Sequence, residues 1–228
     1  MPRFAGFDLA ALRQSRLYDL AMRLPVLSYS LFLALFSVFG LLHDRRGAGS
    51  AAAHGVNLAM RVAVIAYFVV LAASVIIRAR PERRADGLEP RISAMLGTFS
   101  ILAVVLFPRR GLSLTGEMIS TLLLLAGNAF AVLVLMQLGR SFSIMAEARR
   151  LVTSGLYRWV RHPLYLAEEL AVIAIVLQFL SLWTALLLAA QIAFQLRRMR
   201  NEERVLGETF PEYVDYKEKT AMLLPGVF

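Results

Sequence analysis

The chain has 228 residues, 58% of them apolar and 18% charged, with a mean hydropathy of +0.62 and a net charge of +9. Soluble domains carry about a quarter charged residues, so this composition excludes an ordinary soluble domain and reads as a membrane protein. The absence of cysteine excludes disulfides, thiolate metal sites and cysteine nucleophiles, and the arginines flank apolar runs instead of forming one stripe, which reads as membrane topology and not as a nucleic-acid surface.

Residues 1–24 carry Arg3, Asp8, Arg13, Arg16, Asp19 and Arg23, too many charges for the apolar core of a secretory signal. Their apolar residues recur at helical spacing, so the expectation is an amphipathic helix in the membrane interface. Five apolar runs follow, at 25–42, 57–77, 92–107, 116–138 and 164–196. A span needs about 17–25 residues, which suits the first four, the third if it is short. The fifth has 33 residues; as one helix it would be about 50 Å long, against about 30 Å of hydrocarbon. Its middle, QFLSLWT at 178–184, is a polar and aromatic break suited to a tight turn. The fold class expected is therefore all-α, a polytopic transmembrane bundle of six membrane segments with the last two forming a helical hairpin.

The positive charges favour that reading. With the N-terminus inside, a hairpin puts 20 of the 25 basic residues on the cytoplasmic side, against 14 for a single crossing. Both termini are then cytoplasmic, and the expected location is a bacterial inner membrane. Residues 43–56 read as an outer loop and 78–91 as a cytoplasmic loop, neither with a recognisable site. His43 and His54 are two lone histidines in or beside that outer loop and read as plain loop residues, so no metal site is expected.

Three segments converge on the inner face. The first, 138–165, is too polar to span yet studded with apolar residues, and it ends in RHPLY. Pro163 biases His162 away from the helical region and suits the first turn of the helix that follows. In the second, Tyr165, Glu168 and Glu169 share one helix face by spacing, and carboxylates this near the membrane are functional candidates by default. The third is RRMRNEER, 197–204, followed by a tail with Phe210, Tyr213 and Tyr216. Each has a plainer reading: arginines as topology anchors, Glu202 and Glu203 as an exposed helix end, Tyr157, Trp159 and Tyr165 as an aromatic belt, His162 as a structural hydrogen-bonder. One geometry that brings all of them to one face weakens those readings together.

The pattern G-x-x-F, then L-V-T-S-G-x-Y-x-x-x-R-H-P-x-Y, an apolar hairpin, E-E and F-x-x-Y-x-x-Y resembles the isoprenylcysteine carboxyl methyltransferase family and its wider relatives, the phospholipid N-methyltransferases. The resemblance covers Leu138 to about Leu224. It implies a membrane enzyme that uses S-adenosyl-L-methionine, releases S-adenosylhomocysteine, and takes a lipophilic acceptor sideways from the bilayer lipid. It divides the chain into the interfacial segment (1–24), a four-helix scaffold on the acceptor side (25–138) and a cofactor-binding core (139–228). Donor contacts carried over by position are Glu147, Arg150, Leu151, Val152, Tyr157, His162, Pro163, Leu164, Tyr165, Glu202 and Glu203. Arg198 falls on the substrate-contacting arginine, with Glu169 beside the substrate, and Arg198, His162, Tyr165 and Glu202 are the implied catalytic set. The hairpin turn departs from the eukaryotic members in lacking their Asn-Pro, and Arg149 and Arg150 are more basic than their counterparts.

If the acceptor is a carboxylate, as the resemblance suggests, it is already ionised and needs no general base; alignment and a dry, shaped site must supply the rate. An amine, as in phospholipid N-methylation, or a thiol would need a base, for which His162 and Glu169 are the first choices. Two readings of other classes stand beside these: an NADPH-dependent membrane reductase, and a non-enzymatic membrane accessory protein on the same scaffold.

Overall fold

A computed structural model of the chain describes residues 16–43 and 51–226. Its elements in chain order are α1 (Arg16–His43), α2 (Ala51–Ile77), β1 (Arg83–Arg84), α3 (Glu89–Phe99), α4 (Leu114–Leu138), β2 (Glu147–Ala148), α5 (Pro163–Gln178), α6 (Leu182–Thr209) and α7 (Tyr213–Lys219). A 3-10 turn, Ser100–Leu106, carries α3 onward. Four of these stretches are long and apolar enough to cross a membrane: Asp19–His43, His54–Ile77, Glu89–Leu106 and Leu114–Ser141. The chain is an integral membrane protein. On α1, Leu31, Phe32, Leu35, Phe36 and Phe39 are all exposed, a surface that only lipid solvates well. Residues 1–15 of the expected interfacial helix lie outside the described residues, and 16–24 simply continue α1 through Pro25.

The 33-residue run divides into α5 and α6. Ser181 ends the turn as a reciprocal cap: its side chain accepts from Thr184 N–H, and Thr184 Oγ1 accepts from Ser181 N–H. Arg110 N–H, in the connection between α3 and α4, donates to Gln178 O at 2.9 Å. The turn therefore sits at the end of the bundle opposite RHPLY. At 16 residues, α5 is about 24 Å long.

Each of these two helices packs mainly on a different neighbour, α5 on α4 and α6 on α3. Gly127 lets α4 approach α5 backbone to backbone, since a Cβ there would lie 2.8 Å from Ala171 N and 2.9 Å from Ala167 O. Ser120 Oγ donates to Ala174 O at 2.8 Å across the same seam. On the other side, Asn201 Nδ2 donates to Glu89 and Ser93, and Gln191 Nε2 to Gly97 O. The apolar core, with Leu71, Val75, Val134, Leu135, Phe142 and Ala167, gathers α2, α4, α5 and the segment after α4.

The chain is mostly helical, and its little sheet is the short antiparallel pair of β1 and β2, Arg83 opposite Ala148 and Arg84 opposite Glu147. The 78–91 loop also has a structural role: Glu82 N–H donates to Ala148 O and Ala85 N–H to Ala146 O, so the loop and the segment after α4 satisfy each other's backbone groups.

Gly127→Leu is expected to wedge α4 from α5 at a cost of about 1–3 kcal/mol, read as a lowered melting temperature of the detergent-solubilised protein. A melting temperature equal to that of the unsubstituted chain would mean that this seam is not closely packed.

Candidate functional site

Pro163 opens α5 and keeps His162 out of the helix at φ −126°, ψ 55°. Gly155 (φ +65°) turns the chain tightly against Gln137, whose Oε1 accepts from Leu156 N–H, and this sets Tyr157 inward. At the far side of α6, the tail folds back: Arg161 N–H donates to Ala221 O, His162 N–H to Met222 O, and Tyr216 O–H to Tyr157 O. These pieces enclose a cleft at the RHPLY end of the bundle.

Glu147, Arg150, Leu151, Val152, Tyr157, His162, Leu164, Tyr165, Arg198 and Glu202 all line that cleft, together with Tyr213 and Tyr216 from the tail. Three candidates do not line it. Pro163 is buried. Glu203 is held by a cationic cage, Oε1 accepting from Arg161 Nε at 2.7 Å and Oε2 lying 3.0 Å from Lys217 Nζ. Glu169 points elsewhere, Oε1 accepting from Gln191 Nε2 at 2.9 Å.

Burial works against the Glu203 carboxylate, but hydrogen bonds from His162, Arg161 and Lys217 outweigh it and hold the group at about 2. As an ionised carboxylate Glu203 only accepts, so His162 Nε2, 3.3 Å away, carries the proton that faces it. Burial pushes the Tyr157 and Tyr213 phenols well up, and Tyr216 to about 12. All three stay protonated donors at neutral pH. Among the described residues the buried Tyr213 hydroxyl has no hydrogen-bond partner.

Glu147 is committed before any ligand arrives. Its Oε1 accepts from Arg84 Nε at 2.9 Å, and its Oε2 accepts from Ser143 Oγ and Arg149 NH2. Arg149 is itself buried and lies 3.6 Å from Asp19, which also pairs with Arg78. The first span is thus tied by charge to the wall of the cleft. Arg150, by contrast, is exposed at the rim.

Behind the cleft lies a second space. An apolar chamber of about 320 Å³ is bounded by all six long helices, from Val26 and Tyr29 of α1 to Gln195 of α6. Arg198 lines both spaces. Its guanidinium is buried, stacks 4.7 Å over the Tyr165 ring, and donates to Ile144 O and Thr98 Oγ1. Tyr165 O–H donates to Glu202 at 2.7 Å on the cleft side. On the chamber side Gln195 Nε2 donates to Glu168 at 3.1 Å.

Sequence reasoning named Glu168 as a candidate carboxylate but missed Gln191, Gln195 and Thr98 as site groups. A signal existed: Gln191, Gln195, Arg198 and Glu202 repeat at four, three and four residues, one polar stripe on an apolar helix.

Residues 118–208 match the isoprenylcysteine carboxyl methyltransferase (ICMT) family. Over 80 residues the chain is 31% identical to the nickel-cobalt-cadmium resistance protein NccN of Alcaligenes xylosoxydans xylosoxydans, an alignment covering 35% of this chain and 38% of that protein. Over 76 residues it is 36% identical to the cobalt-zinc-cadmium resistance protein CzcN of Cupriavidus metallidurans, covering 33% of this chain and 35% of the relative. The chain thus matches little more than a third of the length of these curated relatives.

Because the Glu203 carboxyl sits at about 2 when folded against an ordinary 4.5, its cage stabilises the fold fully above about pH 4.5, and that stability is lost as pH falls towards 2. The contribution is on the order of 3 kcal/mol. Glu203→Gln should lower the melting temperature at pH 7, and the gap to the unsubstituted protein should close on acidification through that window. A gap that stays constant with pH would show that the cage does not depend on this charge.

Proposed function

We propose that this protein, an ICMT-family chain through residues 118–208, is an integral membrane methyltransferase that transfers a methyl group from S-adenosylmethionine to a lipophilic acceptor. One observation carries the reading: Arg198 and its partners form a single polar partition between a cleft rich in tyrosine and charge and a chamber lined chiefly by apolar side chains. A reaction between a polar donor and a greasy acceptor needs that arrangement of two compartments.

The residues of the cleft suit the donor. When bound, S-adenosylmethionine supplies an electrophilic methyl on a sulfonium. Glu202 offers a carboxylate for ribose hydroxyls or the ammonium, Tyr157 and Tyr165 offer ring faces to a cation, worth about 0.5–2 kcal/mol, and Arg150 offers a cation to the carboxylate. The unpartnered Tyr213 hydroxyl is a donor waiting for an acceptor. His162 acts at one remove, its ring oriented by Glu203. The free space in the cleft is about 50 Å³, well below the ~300 Å³ of ordinary ligand pockets, so the tail must lift from the cleft as the donor enters.

The chamber suits an acceptor with a long apolar body, at about 320 Å³, entering sideways from the lipid. Its head would meet Arg198. The family name suggests an isoprenylcysteine-type carboxylate as one such head, with O-methylation the reaction; an amine or a thiol head would make the reaction N- or S-methylation. In the same reading α5 and α6 are the fifth and sixth membrane segments, with RHPLY and both termini on the cytoplasmic side of a bacterial inner membrane; the excess of basic residues at that end supports the assignment.

Isothermal calorimetry on the purified chain is expected to detect binding of S-adenosylhomocysteine and none of NADPH. Glu202→Gln should weaken that binding about tenfold, or about 1.4 kcal/mol. Binding of NADPH in place of S-adenosylhomocysteine would overturn the methyltransferase reading in favour of a membrane reductase.

A further inference from the structure

Three arginine–carboxylate pairs around the site are shut. Arg161 meets Glu203 at 2.7 Å, Arg197 meets Glu89 at 2.7 Å, and Arg84 meets Glu147 at 2.9 Å. Arg198 and Glu168 stand 4.0 Å apart. The guanidinium is drawn aside by Ile144 O and Thr98 Oγ1, and Glu168 is held back by Gln195. Glu168 Oε2 is the oxygen that Gln195 holds; Oε1 has no hydrogen bond among the described residues. The Glu168 side chain keeps 21% of its surface exposed, against 4% for Arg198, and the space it faces is the chamber. An intramembrane carboxylate left open to an apolar cavity is costly and needs a reason.

Resting on the methyltransferase reading, we infer that Glu168 and Arg198 form a proton-transfer pair, and that the acceptor is a lipophilic thiol whose sulfur sits between them. A neutral thiol enters an apolar chamber at little cost. Its S–H proton passes to the Glu168 carboxylate, and the thiolate left behind faces the Arg198 guanidinium, so the net charge of the pocket is unchanged. The thiolate sulfur then forms a bond to the methyl carbon as the carbon–sulfur bond of the sulfonium breaks, its electron pair staying with the leaving thioether. The Glu168 proton returns to water when product leaves.

The alternatives fit this pair less well. A carboxylate head has no proton to give and would set a second anion beside Glu168. An ammonium head would set a second cation beside Arg198. An alcohol ionises too weakly for a carboxylate base, whereas a thiol, at about 8.5, is within reach. Glu169 and His162, the bases expected from sequence, are both turned away, to Gln191 and to Glu203. The titratable and charged groups facing Glu168 are Arg198 and Glu202 of α6, Tyr29 of α1, Tyr67 of α2, Tyr157 of the segment before α5, and Tyr165 and Glu169 of α5.

The test uses the full chain in lipid nanodiscs with methyl-labelled S-adenosylmethionine and three probes: 1-dodecanethiol, dodecanoate and dodecylamine. Dodecanethiol should be methylated at least 100-fold faster than either other probe, and native mass spectrometry of the donor-free protein should find it bound in preference to dodecanoate. Glu168→Gln should lower the rate at pH 7 by about 100-fold, the lower end of what a general base contributes, while S-adenosylhomocysteine affinity is unchanged. That loss should recover about tenfold per pH unit as the thiol ionises by itself, which a misfolded variant would not do. Methylation of dodecanoate or of N-acetyl-S-farnesylcysteine, undiminished in Glu168→Gln, would overturn this inference and leave the methyltransferase reading standing. Absence of transfer to every probe together with absence of S-adenosylhomocysteine binding would overturn both.

Discussion

Four side-chain bridges run between α5 and α6: His162 to Glu203, Tyr165 to Glu202, Glu168 to Gln195, and Glu169 to Gln191. Two helices that packed apolar face to apolar face would close the space between them. These two are joined by polar rungs and pack mainly on other helices, α5 on α4 through Gly127 and α6 on α3 through Gly97, Ser93 and Glu89. Away from water, each rung is obligatory, because an unpaired polar group there costs several kcal/mol. The ladder therefore fixes both the register of the return and the width of the gap, and the gap becomes the chamber.

The ladder also sorts the charges. At the RHPLY end Glu203 is fully engaged by Arg161, Lys217 and the His162 ring, and serves to hold His162 and the tail in position. One turn earlier Arg198 shares Tyr165 with Glu202 and stands open towards Glu168. The first rung is structural, the second faces the cleft and the third faces the chamber. A gradient from closed to open pairing along one helix is what a site at a membrane boundary requires: charge neutralised where it only supports, and left available where a ligand completes it. The Asp19–Arg78–Arg149–Glu147 network adds a strut from α1 to the cleft wall, so the first span and the segment that carries Glu147 are mechanically joined.

Much of this was legible in the chain itself. The length of the fifth run against bilayer thickness, with QFLSLWT at its centre, gave the turn between α5 and α6, and RHPLY with the glutamate pair gave the cleft. Other parts were hidden for physical reasons. Tyr165, Glu168 and Glu169 were expected to share a face, but i+3 and i+4 diverge enough that Glu168 faces the chamber and Glu169 faces Gln191. Pro163 and Glu203 were carried over by position from the family resemblance as donor contacts, but neighbours on a helix point to different sides, and neither lines the cleft. The walls contributed by α1 and α2 could not be read, since a residue facing lipid and one facing a lipophilic chamber are both simply apolar. The engagement of Arg84 with Glu147 depends on pairing two loops 63 residues apart, which no local pattern encodes.

The chain's lack of cysteine makes the central geometry directly measurable. A variant carrying His162→Cys and Glu203→Cys, treated in native membranes with a short bifunctional thiol reagent, should yield an intramolecular cross-link between the start of α5 and the end of α6. Two thiols that never cross-link, and that instead react with impermeant reagents added from opposite sides of the membrane, would contradict the ladder and with it the cleft, the chamber and the residue roles built on them.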